Sequence, residues 1–355
     1  MKNNIIELKQ VTYYENSNCI ANNLTWKLED SSFVTFLMPY KSNNSFEKLL
    51  TGLIRPEQGH ILVDNVDLSS MNYRNKSIHM IFKGGALFEQ LSVFENVSYG
   101  LELLELRKDD IKKKVIRVLN KLGISELIDK MPSMLLEDEI IKVALARILV
   151  LKPKAIVFDD VLAKVDAYKK NEMQSYLKDL QRDLAIPFIY ITHNKDDAFT
   201  ISDKIIVFYN GRIIQEGTPL ELYYQPISEA VALLVGDANV LKGRVSRKDE
   251  TGVYVKIKNN YLKLKHLNVE PGDKVTIIIR PENTKFIKET TRELLKAAVY
   301  DYEFNGQFIK TYAFLGESKI EALSLSSSKL PVIGEKVFID FDESSAIILK
   351  KKEDV

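Results

Sequence analysis

Short apolar runs recur along the first two thirds of the chain and predict strands that are buried on both faces. They are Phe33–Leu37, Ala155–Phe158 and Phe188–Ile191. Such uniformly apolar runs are typical of parallel strands covered on both sides. The stretch Ile140–Leu149 is longer and has the apolar content of a helix. Buried strands separated by helical stretches predict an α/β fold.

The last third of the chain has a different pattern, which begins near Asn239. Short runs are separated there by Gly, Asn and Asp turns; they are Leu241–Val245, Val253–Ile257, Val275–Ile279, Ala298–Glu303, Phe308–Ala313 and Val337–Phe341. Short, evenly spaced strands are typical of a small barrel, so we expect an all-β region. Residues 5–36 alternate as antiparallel strands do, and Asn210-Gly211 predicts a hairpin turn.

Composition limits the classes of protein and of partner. The chain has 355 residues, enough for two domains, and its formal net charge of +1 gives no reason to expect a polyanion partner. Cys19 is the only cysteine, so an internal disulfide is excluded and a reducing compartment is expected. The N-terminal residues lack an apolar signal core, and no window of about 18 apolar residues offers a membrane span.

Two carboxylates, Asp159 and Asp160, follow directly on the apolar run Ala155–Phe158. Open α/β sheets bind ligands beyond the carboxyl ends of their strands. Carboxylate oxygens at that place can hold Mg²⁺, directly or through water. The residues alone leave two interpretations open, a magnesium-linked site and an acidic turn after a strand.

The order of these features resembles the ATP-binding cassette (ABC) ATPases. The helix Ile140–Leu149, the strand ending in two aspartates, and a later strand ending before His193 follow one another as in that family. The resemblance implies that Asp159 binds Mg²⁺ and that Asp160 stands at the catalytic glutamate. It also implies that Asp166 is the D-loop aspartate and that His193 is the switch histidine. For a lone histidine at a strand end, a structural role is the alternative.

The phosphate-binding loop expected after the first buried strand departs from the family pattern. The segment Met38–Ser45 contains no glycine, and no lysine precedes its Ser/Thr position. Glycine reaches positive φ freely, which lets backbone N–H groups point at phosphate. The missing lysine would neutralise the β- and γ-phosphates. The resemblance assigns the positions of the loop to Lys41, Asn43, Asn44 and Ser45.

Two further positions also differ from the family. Lys83 replaces the glutamine that normally touches Mg²⁺. A charged lysine cannot ligate a metal, so it either contacts a phosphate or pairs with Asp159 or Asp160. The signature motif is replaced by Leu135–Glu139, whose three acids would repel a triphosphate held by a second subunit.

An aromatic residue in the first hairpin of the family stacks on adenine. Tyr13 or Tyr14 can take that place, and Tyr14 is the candidate; an ordinary surface tyrosine is the alternative. The resemblance implies ATP and Mg²⁺ as cofactors. The departures in the loop, at Lys83 and in the signature motif predict that both are bound weakly or not at all.

Three segments resemble import-type members of the family. Gly217–Pro226 resembles a motif of importer ATPases, and the β-rich end resembles their OB-like TOBE region. Gly84–Val97 resembles the segment beside the groove that receives the coupling helix of a transporter, although it also fits ordinary core. The implied domains are a cassette at residues 1–238, with a helical subdomain at about 84–150, and a TOBE-like β domain at residues 239–355.

We therefore expect a cytoplasmic cassette subunit of an ABC importer, peripheral to the inner face of the cell membrane. Its expected partners are transmembrane permease subunits and a second cassette, identical or different. Within that role, impaired ATP hydrolysis stands beside a catalytically inactive structural or regulatory cassette that binds no ATP. A soluble cassette protein that acts with nucleic acid or in translation is a third class. The import-type segment argues against it, and no nucleic-acid partner is expected.

Overall fold

The computed structural model describes residues 6–28, 31–39, 45–71, 77–104, 106–250, 252–258, 260–264, 269–290, 294–328 and 332–350. The chain divides into two units, Met1–Pro219 and Leu220–Val355. Elements are numbered in chain order, and each unit is described by itself. The domain boundary between residues 238 and 239 stays a prediction.

Unit 1 begins with an antiparallel sheet. Its strands are β1 (Ile6–Glu15), β2 (Asn18–Leu28), β4 (Gln58–Val63) and β5 (Val66–Asp67), in the order β2-β1-β4-β5. Their alternating buried and exposed residues match a sheet with one solvated face. The predicted early antiparallel strands are confirmed.

A second sheet, mainly parallel, is the centre of unit 1. Its strands are β3 (Phe33–Leu37), β6 (Ile78–Ile81), β7 (Ala155–Asp159), β8 (Phe188–Thr192), β9 (Lys204–Tyr209) and β10 (Arg212–Gly217). The order is β10-β9-β3-β8-β7-β6, and only the edge strand β10 is antiparallel to its neighbour. The uniformly apolar strands predicted from the sequence are these central strands.

Helices cover this parallel sheet. They are α1 (Phe46–Leu50), α2 (Val93–Glu102), α3 (Lys108–Lys121), α4 (Glu137–Leu149), α5 (Ala167–Leu184) and α6 (Lys195–Ile201). Alternate residues of one strand serve opposite cores: Phe158 packs with α2 to α5, whereas Val157 packs with α1 and the antiparallel sheet. This two-sided burial explains the lack of polar alternation in β7.

The hairpin between β9 and β10 turns at Asn210-Gly211, as the sequence predicts. Both residues have positive φ, 49° and 74°, as a tight two-residue hairpin turn requires. A Cβ atom on Gly211 would lie 2.7 Å from the sulfur of Cys19, so glycine is also required by close packing.

Unit 2 contains two short helices and then strands only. The helices are α7 (Pro219–Tyr224) and α8 (Glu229–Val235). The strands are β11 (Asn239–Asp249), β12 (Gly252–Ile257), β13 (Asn260–Leu264), β14 (Lys274–Ile279), β15 (Thr284–Ile287), β16 (Leu295–Phe304), β17 (Phe308–Leu315), β18 (Ser318–Leu325), β19 (Lys336–Phe341) and β20 (Ile347–Lys350).

These strands form two antiparallel sheets, β13-β12-β11-β14-β20 and β15-β19-β16-β17-β18, which share one apolar core. The predicted α/β fold and the predicted all-β region after it are confirmed. For function, the important geometry is the carboxyl edge of the parallel sheet, where β6, β7 and β8 end side by side.

Candidate functional site

Polar residues collect where β6, β7 and β8 end. Asp159 is the last residue of β7 and Asp160 follows it; Thr192 is the last residue of β8, and Lys83 lies just after β6. Because neighbouring parallel strands end at the same edge of a sheet, these side chains meet there. The edge is the predicted ligand-binding edge of an α/β fold.

Asp160 is the centre of this group and is almost fully buried. Its Oδ1 atom accepts a hydrogen bond from the hydroxyl of Thr192 at 2.6 Å, and its Oδ2 atom lies 3.2 Å from Nζ of Lys83. Nδ1 of His193 is 3.5 Å from the same Oδ2 atom. Of the two roles considered for Lys83, a phosphate contact and an ion pair with an aspartate, the structure contains the ion pair.

The backbone of Asp160 has the left-handed conformation, with φ 43° and ψ 40°. Its N–H donates to the carbonyl of Ile191 at 2.9 Å, which fixes the turn against β8. Aspartate tolerates this conformation better than most residues. The strained turn aims the Asp160 carboxylate across the sheet edge towards Thr192 and Lys83.

Asp159 is half-buried beside it. Burial raises the pKa of the Asp159 carboxyl, and the charge of Asp160 adds to that effect. The backbone N–H of Lys83 donates to Asp159, and this bond opposes the rise in its pKa. Asp159 therefore lies where the sequence predicts a magnesium ligand, in surroundings that favour protonation more than those of an exposed aspartate.

Glu47 is a second buried carboxylate near the same edge, on the first turn of α1. Burial, with smaller contributions from the charges of Asp159 and Asp160, raises its pKa to about 7. Its Oε2 atom has no hydrogen-bond partner among the residues described. Sequence analysis missed Glu47. The available signal was its helical spacing: Glu47 lies three residues before Leu50, on a short helix whose apolar residues are buried.

Ser45, directly before α1, is buried and bound to another carboxylate. Its hydroxyl donates to the Oε1 and Oε2 atoms of Glu15 at 2.8 and 2.7 Å. The other predicted residues of the loop, Lys41, Asn43 and Asn44, lie outside the described residues. Glu15 and Thr192 were also missed, because no pattern in the sequence pairs residues so far apart in the chain.

Tyr14 and Asp166 have local partners of other kinds. Tyr14 lies on β1 with its side chain partly exposed, and its backbone N–H donates to Glu57 at 3.2 Å. Asp166 is the N-cap residue of α5 and accepts a long hydrogen bond, 3.4 Å, from the backbone N–H of Tyr168. Their predicted roles at adenine and in the D-loop stay predictions.

The segment in place of the signature motif ends in the acidic first turn of α4. Asp138 accepts from Nζ of Lys169 at 2.8 Å, and Glu139 accepts from the backbone N–H of Leu136 at 2.8 Å. Acids in the first turn complement the helix dipole. The carboxylates therefore have structural partners at this end of α4.

An exposed aromatic pair marks the segment predicted to lie beside a docking groove. The rings of Phe88 and Tyr99 lie 4.6 Å apart, and both are about two-fifths exposed. The guanidinium of Arg147 donates to the carbonyls of Ala86 and Gly85 and lies over the Phe88 ring. This apolar surface on unit 1 is fixed by α2 and α4.

Two features are absent from the described residues. No three His, Cys, Asp or Glu side chains there are grouped so that they could hold a metal ion. Over the same part of the chain, no helix has both the length and the apolar character required to cross a bilayer.

Comparison with known proteins gives consistent matches. The family model described as "ABC transporter" matches residues 45–163. A spermidine/putrescine import ATP-binding protein of Mannheimia succiniciproducens is 32% identical over 284 residues, 79% of this chain and 76% of that protein. Proteins of the same name from Haemophilus influenzae and Borreliella afzelii are 28% and 29% identical; they match 98% and 99% of this chain and 97% and 100% of their own lengths.

A solved structure is also similar to this chain. It is cbiO1 from Clostridium perfringens, described as part of the ABC transporter complex cbiONQ. The alignment has a TM-score of 0.56 and 26% identity, and it covers 63% of this chain and 92% of that one.

Proposed function

The chain belongs to the ABC transporter family as an import-type ATP-binding subunit, and from this premise we propose that it serves an importer as a cassette that does not hydrolyse ATP. Members of the family bind ATP and Mg²⁺. The single observation that carries the proposal is the ion pair between Lys83 and Asp160, 3.2 Å long, at the edge of the sheet where that chemistry would occur.

The transporter role rests on similarity along nearly the whole chain. Relatives named as spermidine/putrescine import proteins match 98% to 99% of it, including the β-rich end. We propose a polyamine or a similar organic cation as the transported substrate. The proposed place is the inner face of the membrane, where the surface around Phe88 and Tyr99 contacts a permease subunit and a second cassette completes the complex.

The residues described do not fit a magnesium triphosphate. The ammonium of Lys83 has no lone pair for a metal, and it already compensates the charge of Asp160. Glu47 adds a buried carboxyl next to Asp159, which disfavours a polyphosphate anion nearby. The hydroxyl of Ser45 is engaged by Glu15 instead of being free for a phosphate or a metal.

The start of α4 supports a similar loss of nucleotide contacts at the ATP site of a partner cassette. The segment Leu135–Glu139 replaces the signature motif, which in the family contacts the nucleotide of the opposite subunit, and its three acids, Glu137, Asp138 and Glu139, lie in the first turn of α4. Carboxylates there repel a triphosphate. A second cassette with an intact site of its own would therefore gain few favourable contacts to its nucleotide from this chain.

Slow hydrolysis with altered residues is the second candidate, and one observation favours it. Asp159, Asp160 and His193 all lie at the sheet edge, with Nδ1 of His193 3.5 Å from Asp160. Such a group could orient a water molecule if a nucleotide were bound. An inactive cassette and a slow ATPase differ in the effect that they predict for substitution of Asp160 on ATP turnover.

The test is the turnover of Mg-ATP by the purified chain and by Asp160→Asn and His193→Ala. We expect a rate at the level of the buffer blank for all three, because these side chains are engaged with each other. A measurable rate that falls about 100-fold in Asp160→Asn would establish the slow ATPase and overturn the inactive cassette. Asp196→Asn, an exposed residue on α6, is the matched control.

A further inference from the structure

A strong local positive charge lies on α3 and its N-cap residue. Residues 107–121 contain seven Lys and Arg and two Asp, a net charge of +5, whereas the whole chain has a net charge of +1. The other side of the helix is apolar, and its Ile111, Val115 and Leu119 are buried in the core of unit 1. Because that side holds α3 in the core, the charges are presented outwards in a fixed arrangement.

Four cations form a stripe on the exposed side of α3. Lys113, Arg117 and Lys121 are spaced four residues apart, so they lie along one face, and Lys112 is next to them. All four side chains are exposed. Over the part of the chain that the structure describes, none of the four forms an ion pair with a carboxylate. This set of four is named the basic stripe.

The acids nearby compensate only a small part of the basic stripe. Asp110 pairs with Arg107 at 2.9 Å. Glu102, the last residue of α2, accepts a hydrogen bond at 2.8 Å from the serine hydroxyl one turn before it. Asp109, in the first turn of α3, is one turn before Lys113 and can offset one of the four charges. Most of the charge therefore remains available to an anionic partner.

Exposed leucines adjoin the basic stripe at the amino end of α3. Leu103 and Leu104, directly after α2, are about half exposed, and Leu106, directly before the N-cap of α3, is 36% exposed. These three are named the leucine loop. Leu103 follows Tyr99 by one helical turn, so the loop is continuous with the surface around Phe88 and Tyr99 that is proposed to contact a permease.

The combination of cations and leucines favours a lipid surface over other anionic partners. Ile116, 37% exposed, lies on the side of α3 that carries the stripe. Nucleic acids use aromatic side chains for stacking on bases, whereas the exposed apolar residues of the leucine loop and of α3 are aliphatic. The interface of a bilayer takes up leucines together with lysines and arginines.

We propose that α3 and the leucine loop bind the surface of a membrane that contains anionic phospholipids. Lipid phosphates contact the basic stripe, and the leucine loop enters the headgroup region. The inference rests on the proposed place of this chain at the membrane. Lipid binding is measured without ATP and without a permease, so its failure is distinct from a failure of the proposed transporter role.

The test is sedimentation of the full chain with vesicles, either of phosphatidylcholine alone or of equal parts phosphatidylcholine and phosphatidylglycerol. We expect binding to the anionic vesicles only, and weaker binding as salt is added. Arg117→Gln/Lys121→Gln is expected to bind about 25-fold more weakly, because each cation near an anionic surface contributes about fivefold. The matched control is Arg244→Gln/Lys256→Gln, which removes the same charge from exposed positions of unit 2 and is expected to bind as the wild type does.

A second pair of substitutions separates lipid from nucleic acid. Leu104→Ser/Leu106→Ser is expected to weaken binding to the anionic vesicles, because the leucine loop no longer enters the interface. A fluorescent single-stranded RNA is the competing probe, and we expect it to bind more weakly than the anionic vesicles. Three results would each overturn the proposal: no sedimentation with anionic vesicles, equal loss of binding in the α3 variant and its unit 2 control, or tighter binding of the RNA than of the vesicles.

Discussion

At the scale of single residues, the sheet edge of unit 1 holds two buried carboxylates, Asp160 and Glu47, whose surroundings differ. Asp160 has a hydroxyl, an ammonium and an imidazole around it, whereas Glu47 has an oxygen without a partner among the described residues. A buried carboxylate with partners stabilises the fold, and a buried carboxylate without them favours its neutral form. We therefore expect substitutions at the two residues to have opposite effects on stability at neutral pH.

Glu47 predicts a stability that depends on pH. The folded chain holds the pKa of Glu47 at about 7, above the 4.5 of an exposed glutamate, so it binds more protons than the unfolded chain between these values. Stability from this group is complete below pH 4.5 and falls as pH rises towards 7, by about 3 kcal/mol in total. We expect Glu47→Gln to abolish this fall.

The measurement is urea denaturation of the wild type and Glu47→Gln at pH 5 and pH 7.5. Only the difference between the two proteins is used, which cancels the other titrating groups. Glu89→Gln, at an exposed position, is the control and is expected to follow the wild type. An equal pH dependence in wild type and Glu47→Gln would show that Glu47 titrates normally in the folded chain.

Asp160 predicts the opposite effect. Asp160→Asn loses the charge that compensates Lys83 and weakens the bond from Thr192, so we expect a loss of about 1–3 kcal/mol in the free energy of unfolding at pH 7. Thermal or urea unfolding checks this, with Asp196→Asn as control. Unchanged stability with lost turnover would instead identify Asp160 as a group kept for catalysis.

At the scale of secondary-structure elements, Arg280 joins the helices of unit 2 to its sheet. It is fully buried at the end of β14 and donates to the carbonyls of Ala232 at 2.9 Å, Tyr223 at 2.9 Å and Asp237 at 3.1 Å. Its guanidinium also stacks on the ring of Tyr223. The planar fork of an arginine fits several acceptors at once, which an ammonium does not.

We expect Arg280→Met to destabilise unit 2 by about 3 kcal/mol, because it leaves three carbonyls without a donor. Arg280→Lys is expected to recover only part of the loss. Hydrogen exchange should become faster first in α7 and α8. Arg244→Met, on an exposed position of β11, is the matched control. Exchange that is unchanged in α8 would contradict the role of Arg280 as a tie between these elements.

The predictability of an element depended on where its side chains lie. The strands β3, β7 and β8 were predicted because burial on both faces leaves only apolar residues, and the Asn-Gly hairpin because its turn needs positive φ. The strand β18 was missed although Ser318–Leu325 alternates, since its polar residues resemble a loop. The hydrogen bond from the Asn239 side chain to the carbonyl of Glu321 joins residues 82 apart and has no local signal.

At the scale of the whole molecule, motif order was enough to predict the α/β fold and the family, because both depend on elements along the chain. The strand order β9-β3-β8-β7 was outside the reach of periodicity, since it depends on crossovers. The partners of the site residues could not be predicted from periodicity either. Glu15 meets Ser45, and Thr192 meets Asp160, only after folding. The sequence predicted an altered site, and the fold provides the side chains that occupy it.

The central claim is that this cassette has replaced nucleotide contacts with contacts among its own side chains. Calorimetric titration of the full chain with Mg-ATP tests it most directly. The account predicts no binding heat up to millimolar nucleotide, because Lys83, Asp160 and Ser45 are already engaged and Glu47 adds a buried acid. Saturable binding in the micromolar range would contradict it and would show that the chain still holds a phosphate site.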